Sequence, residues 1–506
     1  MGLEYDVVVV GGGSAGCTLA GRLSAAGTCR VLLLEAGQVG WMPEILDVTS
    51  LAACVPGHPA NWAHPVELRT GIAANVPRGR VLGGSGAVNG AVWMRATSAD
   101  GWGLPGWTWA DMLARYVRSE ADADLGDRPG HGADGPVPVT RPAGALCHPA
   151  TERFLAAAAT CGFPAEPDKN AGGAPGAGLV PGNAVDGVRI NPAMAYLTEA
   201  LGLDGQATVR KAGHREDPGP LTVRGDSPVE RVLLDGPRAV GVRLVDGTTV
   251  HAGEVVLATG AVGTPHLLLR SGIGPADELR AAGIEVRHDL PGVGRGFTDH
   301  PAVFLPFITG DPPAHPHARA AQAALDLDAG ADPAGDCEVL LFARPFTPGG
   351  ALHLMCQLMR PDSRGLLTLP ARDGPPRIAY YYLRTEHDRR RLRHAVRVAA
   401  DLLRAGLGTR VEPAGAVLGS DRGVDGWIAA HLTTAQHLCG TAAMGSADDP
   451  LAVVDPALRV HGIERLRVVD LSVLPVAPRR GTAATAVAIG EAGAEWLGAG
   501  PVETAG

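Results

Sequence analysis

Short apolar runs separated by turn residues predict a chain that alternates strands with helices. Residues 7–10 and 31–34 are the first two runs, each typical of a buried strand, and a helical pattern lies between them. Later runs predict strands at residues 229–234, 239–244, 250–257 and 466–469, a β-rich stretch at 340–382, and helices at 151–161, 386–407 and 482–497. The stretch 124–142 is rich in Gly, Pro and Asp and predicts a surface loop. The stretch 310–335 is rich in Pro, Ala and His and predicts a partly mobile segment.

The turn after the first strand indicates the class of ligand. Gly11, Gly13 and Gly16 fit G-x-G-x-x-G where that strand leads into a helix. Such glycines permit a tight turn and let the backbone approach a pyrophosphate at the positive helix N-terminus. Glu35 ends the second strand roughly twenty residues on, where an acid can hold ribose hydroxyls. This order predicts dinucleotide binding and disfavours NADP, while NAD and FAD both remain open.

Composition narrows the possible partners. With 506 residues, 45% hydrophobic and 19% charged, the chain is long enough for two domains with substantial cores. Its net charge of −9 argues against nucleic acid or an anionic membrane surface as the main partner. No apolar stretch approaches the ~20 residues that span a bilayer, and the first strand leaves no room for a cleaved signal peptide. We expect a protein of the cytoplasm, or one peripheral to the inner membrane.

The eight cysteines are scattered and form no C-x-x-C pair. They predict neither a zinc site nor a disulfide framework, so no metal is expected.

Five segments in order resemble the glucose–methanol–choline (GMC) flavoprotein oxidoreductases over nearly the whole chain. They are GRVLGGSGAVNGAVW at residues 79–93, GAVGTPHLLLRSGIG at 260–274, LPGVGRGFTDHP at 290–301, HLCGT at 437–441, and the VVDPALRVHG…LRVVDLSVLP block at 453–475. The resemblance implies FAD and an α/β fold with a doubly wound, Rossmann-like FAD-binding domain. It also implies a second, α+β substrate domain on an antiparallel sheet.

We place the FAD-binding domain at residues 1–145, 203–300 and 437–506 and the substrate domain at 146–202 and 301–436. By the same resemblance, Gly83, Gly84 and Ser85 wrap the flavin and its phosphates, and Asn89 lies beside the flavin ring. The implied cofactor residues are Gly11, Gly13, Ser14, Ala15, Gly16, Glu35, Ala36, Arg80, Gly83, Gly84, Ser85, Asn89, Gly90, Val229, Gly260, Asp470, Gly481 and Thr482.

Two of these residues carry a further expectation. The backbone of Val229 would meet the adenine, and Asp470 would make a polar contact to the cofactor, with a helix cap as the alternative. Some family members attach FAD to a histidine where this chain has Val88. A valine cannot form that bond, so we expect FAD to be noncovalent.

His437 is the residue that the resemblance identifies as the catalytic base. Oxidising an alcohol requires loss of the hydroxyl proton while a hydride leaves the carbon for flavin N5, and a neutral imidazole can take that proton near neutral pH. A purely structural histidine is the alternative. His300 and His461 are expected to make structural hydrogen bonds only, and Cys439 to serve packing.

The chain departs from the family after the last strand, where PSGNTNAP is usual. Residues 478–485 are PRRGTAAT, so Gly481 occupies the position of the second catalytic Asn or His. Thr482, Arg479 or Arg480 could supply the missing hydrogen bond, and an arginine could stabilise charge on reduced flavin. The alternative is that both arginines point to solvent or pair with acids.

The resemblance predicts an FAD-dependent alcohol dehydrogenase that passes electrons to a quinone-like or respiratory carrier. The RRGTAAT ending resembles a bacterial subgroup that takes electrons from the peptide-derived redox cofactor mycofactocin. The alternatives are an alcohol oxidase that uses O2, a non-redox lyase that keeps FAD, and a flavin-binding protein that has lost catalysis. The sequence does not indicate which alcohol is the substrate.

Overall fold

A computed structural model describes residues 5–198, 220–330 and 332–498. The strands are, in chain order, β1 Tyr5–Val10, β2 Val31–Leu34, β3 His64–Arg69, β4 Ile72–Val76, β5 Glu120–Asp122, β6 Val137–Val139, β7 Ala177–Leu179, β8 Ala184–Val185, β9 Val188–Arg189, β10 Leu221–Arg224, β11 Val229–Asp235, β12 Arg238–Leu244, β13 Thr249–Leu257, β14 Ile273–Gly274, β15 His288–Asp289, β16 Arg295–Phe297, β17 Pro301–Ile308, β18 Ala321–Leu327, β19 Cys337–Phe342, β20 Leu352–Leu358, β21 Gly365–Thr368, β22 Arg377–Ala379, β23 Thr409–Arg410, β24 Thr433–Thr434 and β25 Leu466–Val468.

The α-helices are α1 Ser14–Ala26, α2 Pro43–Leu46, α3 Trp109–Ser119, α4 Pro149–Thr160, α5 Pro192–Leu197, α6 Gly260–Arg270, α7 Ala276–Ala281, α8 Glu386–Leu402, α9 Gly415–Leu418, α10 Asp421–His431 and α11 Ala483–Trp496.

The first sheet is the parallel core that the N-terminal pattern predicts. Its parallel strands run in the order β10-β2-β1-β13-β25, and β12 and β11 continue from β13 as antiparallel hairpins. The unbroken apolar runs of β1 and β2 are buried because the strands lie between neighbours and beneath helices. Helix α1 packs closely against α11, where a Cβ at Gly490 would lie 2.6 Å from the Ala15 carbonyl oxygen. This packing brings the start of the chain and its last helix together.

The second sheet is antiparallel, in the order β23-β17-β20-β19-β18-β7, with β24 also paired to β17. One face of the sheet, which includes Val303, Leu305 and Leu354, joins the main core with α8. The opposite face carries Ala302, Met355 and their neighbours, which pack against Met94 and Val180. The antiparallel sheet itself is the one that the resemblance implies for the substrate domain.

A third sheet, in the order β16-β21-β22-β3-β4, was not predicted. It joins strands from both predicted domains, since β3 and β4 fall in residues 1–145 and β21 and β22 in 301–436. The predicted boundary at 202/203 lies outside the described residues. The domain limits therefore stay a prediction.

The stretch 310–335, which was predicted to be partly mobile, contains the buried strand β18. All seven residues of β18 are buried between β7 and β19. Its sequence, AQAALDL, has no β-branched residue and contains Gln322 and Asp326, so it lacks the usual strand signal. Those two polar side chains lie buried because each has partners in the fold: Gln322 bonds to Thr151, and Asp326 pairs with Lys169.

Within the described residues, no helix is both long and apolar enough to cross a membrane.

Candidate active site

The glycine turn after β1 forms a narrow cradle of backbone atoms. Gly11 has φ of +103°, and a Cβ there would lie 2.5 Å from the Ala258 carbonyl oxygen. A Cβ at Gly16 would lie 2.0 Å from the Gly11 carbonyl oxygen, so α1 can begin this close to β1 only with glycine. At Gly13 a Cβ would meet nothing nearer than 3.9 Å. The open side at Gly13 leaves room for a phosphate at the N-terminus of α1, where Ser14 and Ala15 follow.

A second glycine loop lies directly on the first. The Gly83 N–H donates to the Gly12 carbonyl oxygen at 2.7 Å. Gly84 has φ of +55°, and a Cβ there would lie 2.6 Å from the Gly13 Cα. The exposed Ser85 accepts a hydrogen bond from the Gly79 N–H through Oγ at 3.2 Å. The two loops therefore enclose one groove, although they are about seventy residues apart in the sequence.

Glu35 is buried at the end of β2 with its carboxylate on the turn. The Gly12 N–H donates to Oε2 at 2.9 Å and the Gly37 N–H, just after Ala36, donates to Oε1 at 2.8 Å. Burial raises the pKa of Glu35 to about 7. The Ser227 N–H donates to the Glu35 carbonyl at 2.9 Å, which brings the segment leading into Val229 beside this acid. Glu35 and the segment that leads into β11 therefore lie next to each other beside the glycine turn. These are the positions at which a ribose and an adenine are expected.

Three further predicted cofactor residues, Arg80, Asn89 and Gly90, and the neighbouring Val88 have the following contacts, and their role at the cofactor stays a prediction. The Arg80 guanidinium lies 4.9 Å from the centroid of the Trp62 ring. Its charge offsets a small part of the rise that burial gives the pKa of Glu35. Asn89 accepts a hydrogen bond from the Ala91 N–H at 2.8 Å, and Gly90 faces open space. Val88 is buried in a small apolar cluster with Ile45 and Ala53, among others.

Asp470 serves as a cap for two elements. Its Oδ2 accepts hydrogen bonds from the Gly260 N–H at 2.9 Å and the Thr264 hydroxyl at 2.6 Å, while Oδ1 accepts from the Ser472 N–H at 2.8 Å. The structure therefore supports the capping interpretation for this carboxylate. A polar contact from Asp470 to the cofactor stays a prediction.

His437 lies beside the start of the last helix. A Cβ at Gly481 would lie 3.8 Å from His437 Nε2 and 3.8 Å from a Val92 methyl group. The ring's other nitrogen, Nδ1, lies 2.9 Å from Nδ1 of His300. Burial, and to a smaller extent the charge of Arg78, lower the pKa of His437 to about 3. The imidazole is therefore neutral at neutral pH, with Nε2 directed to the second catalytic position.

Asp299 holds the backbone of this histidine pair in place. Its Oδ1 accepts the N–H of His437 at 2.8 Å and of His300 at 2.6 Å, and its Oδ2 accepts the Thr434 hydroxyl at 2.9 Å. Burial raises the pKa of Asp299 to about 6. Sequence reasoning missed both the role of Asp299 and the contact of His300, although both lie in the TDHP end of the segment at 290–301.

The segment before α11 places Gly481 and Thr482 at the positive end of that helix. Thr482 is the N-cap residue, and its side chain makes no capping hydrogen bond. The first N–H groups of α11 are therefore not satisfied by this side chain. A Cβ at Gly481 would be in van der Waals contact with His437 and Val92, so there is room for a small group at this position beside the imidazole.

Arg479 and Arg480 both pair with acids, which is one form of the alternative interpretation, and neither points to solvent. Arg479 Nη1 lies 2.8 Å from Asp100 Oδ1, and Nη2 pairs with Asp332. Arg480 Nη1 lies 2.5 Å from Asp326 Oδ1, and Nη2 lies 3.1 Å from Glu166. Each guanidinium charge is thus already offset by two carboxylates.

An apolar wall adjoins His437 on the substrate-sheet side. Val92, which is near Gly481, belongs to this wall together with Met94, Val180, Ala302, Phe304, Ala321, Ala324, Leu340, Phe342, Met355 and Ala435. At its outer end Phe304 lies edge-on to Phe342 and to Phe346, with centroid distances of 5.6 and 5.1 Å. Phe346 is 38% exposed, so the aromatic end of this cluster reaches solvent, while most of its other members are buried.

Comparison with known proteins agrees with this arrangement. Family models described as GMC oxidoreductase match residues 5–302 and 361–490. A GMC-type oxidoreductase of Rhodococcus erythropolis is 39% identical over 508 residues, covering 96% of this chain and 97% of the relative. Human mitochondrial choline dehydrogenase is 34% identical over 531 residues, covering 93% and 86%. The crystal structure of pyridoxine 4-oxidase from Mesorbium loti has a TM-score of 0.86 at 30% identity, covering 97% and 99%.

Proposed function

The chain belongs to the GMC oxidoreductase family and is an FAD-binding flavoprotein, and from that premise we propose that it oxidises an apolar alcohol with His437 as the base. The observation that carries this proposal is the position of His437 Nε2. It faces Gly481 at the N-terminus of α11, where a Cβ would lie 3.8 Å from this nitrogen and from a Val92 methyl group of the apolar wall.

The proposed reaction needs a hydride acceptor, a base and a group that steadies the alkoxide. Bound FAD supplies a two-electron acceptor for the hydride of the alcohol carbon. His437 Nε2 takes the hydroxyl proton, for which its neutral state at neutral pH is suited. The positive end of α11 and the Thr482 hydroxyl steady the developing negative charge. The apolar wall keeps water away from these groups.

The group that stabilises the alkoxide would differ from the one in the family pattern, because Gly481 occupies the position of the second catalytic Asn or His. Gly481 has no side chain to donate a hydrogen bond, so the helix N–H groups and Thr482 take over that contact. The ion pairs of Arg479 and Arg480 favour a positioning role for both arginines over direct stabilisation of charge on reduced flavin. They would hold residues 478–482 against the substrate sheet.

The wall favours an apolar substrate. Its members are aliphatic and phenyl side chains, and the same sheet face continues into the buried acids Asp326 and Glu338, which lie beside Lys169 and Arg480. An alcohol with an aromatic or extended aliphatic body would bury its surface against Phe304, Met355 and their neighbours.

The electron acceptor that we propose is a quinone-like or respiratory carrier, so the enzyme would be a dehydrogenase. The name of the human relative, a choline dehydrogenase, supports this, as does the resemblance of residues 478–485 to the subgroup that would reoxidise mycofactocinol. An oxidase that uses O2 is the second candidate, which the similarity to a pyridoxine 4-oxidase favours. We place the enzyme in the cytoplasm, or at the inner membrane surface.

An anaerobic titration of the yellow holoenzyme tests the proposal against a lyase or an inactive flavin-binding protein. Benzyl alcohol, 1-octanol, choline, pyridoxine and reduced mycofactocin are added in turn, and the flavin absorbance is followed. We expect at least one apolar alcohol to bleach the flavin with release of the matching aldehyde. A flavin that none of these alcohols reduces would contradict the proposed activity. Bleaching by choline alone would overturn the apolar substrate.

A further inference from the structure

We propose that His300 is a positioning residue that holds His437 in the tautomer with a free lone pair on Nε2. This inference rests on the proposed function, since it concerns the same base. It differs from the expectation that His300 makes only structural hydrogen bonds. Its starting point is the 2.9 Å distance between the two Nδ1 atoms, with the ring planes at 75° to each other.

A hydrogen bond between two Nδ1 atoms requires one ring to donate and the other to accept. Burial lowers the pKa of both imidazoles, so both are neutral at neutral pH. A neutral imidazole carries one N–H, which leaves two arrangements. If His437 donates, its Nε2 is a lone pair and can accept a proton. If His300 donates, His437 Nε2 carries a hydrogen and cannot act as a base.

The far side of His300 decides between the two arrangements. His300 is fully buried, and the backbone carbonyls of Met359 and Pro478 interact with its ring. Nε2 of His300 is buried and makes no hydrogen bond of standard geometry within the described residues. Since Nδ1 contacts His437, the attraction of these carbonyls to the ring favours an N–H at Nε2 over a buried lone pair there. His300 therefore carries its hydrogen on Nε2 and accepts on Nδ1, so His437 donates from Nδ1.

The arrangement also serves the proton transfer. The hydroxyl proton moves to His437 Nε2, the Nδ1 hydrogen stays in place, and His437 becomes an imidazolium. Its Nδ1–H then donates a charge-assisted hydrogen bond to neutral His300, and such bonds are roughly twice as strong as neutral ones. The nearby charged groups are Arg78 and Arg360, which disfavour the imidazolium, and the carboxyl of Asp299. His300 thus offsets part of the cost of a cation in this site.

The geometry links the base to the altered segment. Pro478, whose carbonyl faces His300, is followed directly by Arg479, Arg480 and Gly481. The ion pairs of the two arginines fix this segment and with it the carbonyl that sets the tautomer. The basic arginines would then act on His437 through backbone position rather than through charge.

Two isosteric variants of the holoenzyme test the inference. His300→Asn keeps an acceptor oxygen where Nδ1 lies, and His300→Leu has the same shape without an acceptor. Flavin reduction by the best alcohol is measured anaerobically for each, with FAD content and Tm as checks on folding. We expect His300→Leu to lower the limiting rate about 10- to 100-fold, the scale of one hydrogen bond to a charged group, with little change in KM. His300→Asn should recover most of that loss.

A second readout does not depend on turnover. Nitrogen-15 NMR of histidine-labelled resting enzyme, with the His437 signals assigned by their loss in His437→Gln, reports which ring nitrogen carries the hydrogen. We expect hydrogen on Nδ1 of His437 in the wild type and a mixture of tautomers in His300→Leu. Hydrogen on Nε2 of His437 in the wild type would overturn the inference, as would equal rates for the Asn and Leu variants. If His437→Gln itself reduces flavin at the wild-type rate, the proposed base is wrong instead.

Discussion

Arg480 reaches from the segment before α11 to Asp326 near the end of β18, with 2.5 Å between the guanidinium and the carboxylate. The pair is buried and joins the last helix of the parallel domain to the antiparallel sheet. Glu166 accepts a second bond from Arg480, and Lys169 pairs with both acids. The residue that distinguishes this chain from the family pattern thus belongs to an interdomain charge network.

Replacing Arg480 should therefore affect stability more than redox potential. Arg480→Met leaves buried carboxylates short of a partner, which typically costs about 3–5 kcal/mol, whereas Arg480→Lys should recover part of it. Arg280→Met, in an exposed pair with Asp277, is a matched control with little expected effect. We expect the flavin midpoint potential to shift by less than about 30 mV, or 1.4 kcal/mol for a two-electron couple. A larger fall in potential at unchanged stability would restore the direct charge role.

Gly481 has room for a Cβ, which would lie 3.8 Å from His437 Nε2 and from a Val92 methyl group. We therefore expect Gly481→Asn to fold and to keep its FAD. The restored amide should raise the rate of flavin reduction by small neutral alcohols several-fold, the scale of one hydrogen bond. Gly481→Ala fills similar space without that bond and should give no gain. Equal rates for Asn and Ala would mean that the family's second catalytic group has no counterpart at this position.

Gly16 should be necessary for cofactor binding. In Gly16→Ala the new methyl would lie 2.0 Å from the Gly11 carbonyl, so α1 must move away from the turn and FAD content should fall below about a tenth. Gly426→Ala, in α10 with nothing near its Cβ, is the control and should keep full FAD.

Acid precipitation of the wild type should leave FAD in the supernatant because the Val88 side chain cannot form a covalent bond to the flavin. Flavin that stays in the pellet would contradict noncovalent binding.

His437 should make stability depend on pH in a defined window. Burial lowers its pKa to about 3 in the folded protein, against about 6.5 for a histidine in an unfolded chain, so the unfolded chain binds its proton first as pH falls. Stability is then present above pH 6.5 and is lost progressively towards pH 3. Lowering the pH from 6.5 to 5 should therefore reduce the free energy of unfolding by about 2 kcal/mol through this one group. Urea unfolding at pH 7 and pH 5 should show a correspondingly smaller difference for His437→Gln. An unchanged difference would contradict the lowered pKa.

Local patterns predicted the cofactor cradle well, and the structure brings its parts together. Gly11, Gly16 and Glu35 lie within one βαβ unit, where spacing along the chain fixes their spacing in the fold. The position of His437 beside Gly481 came from the family resemblance and not from any local rule. The resemblance therefore extended the prediction from the cofactor to the candidate base.

Contacts between distant segments were beyond the sequence. The hydrogen bond between His300 and His437 joins residues 137 positions apart, and no local pattern in either segment predicts it. Likewise, the residues around Arg480 do not indicate that its partner is Asp326. That residue lies in the alanine-rich strand β18, within the stretch that was predicted to be partly mobile. Partner choice depends on how the sheets pack, which local periodicity does not contain.

The most direct test of the account is the rate of flavin reduction in His437→Ala. The variant is mixed anaerobically with the alcohol that best bleaches the wild type, and flavin absorbance is followed in a stopped-flow instrument. His461→Ala, whose ring contacts the Gly445 carbonyl, is the control. We predict normal flavin spectra in both variants, a wild-type rate for His461→Ala, and a rate at least ~10²-fold lower for His437→Ala. Undiminished reduction in His437→Ala would show that the base lies elsewhere and would contradict the account.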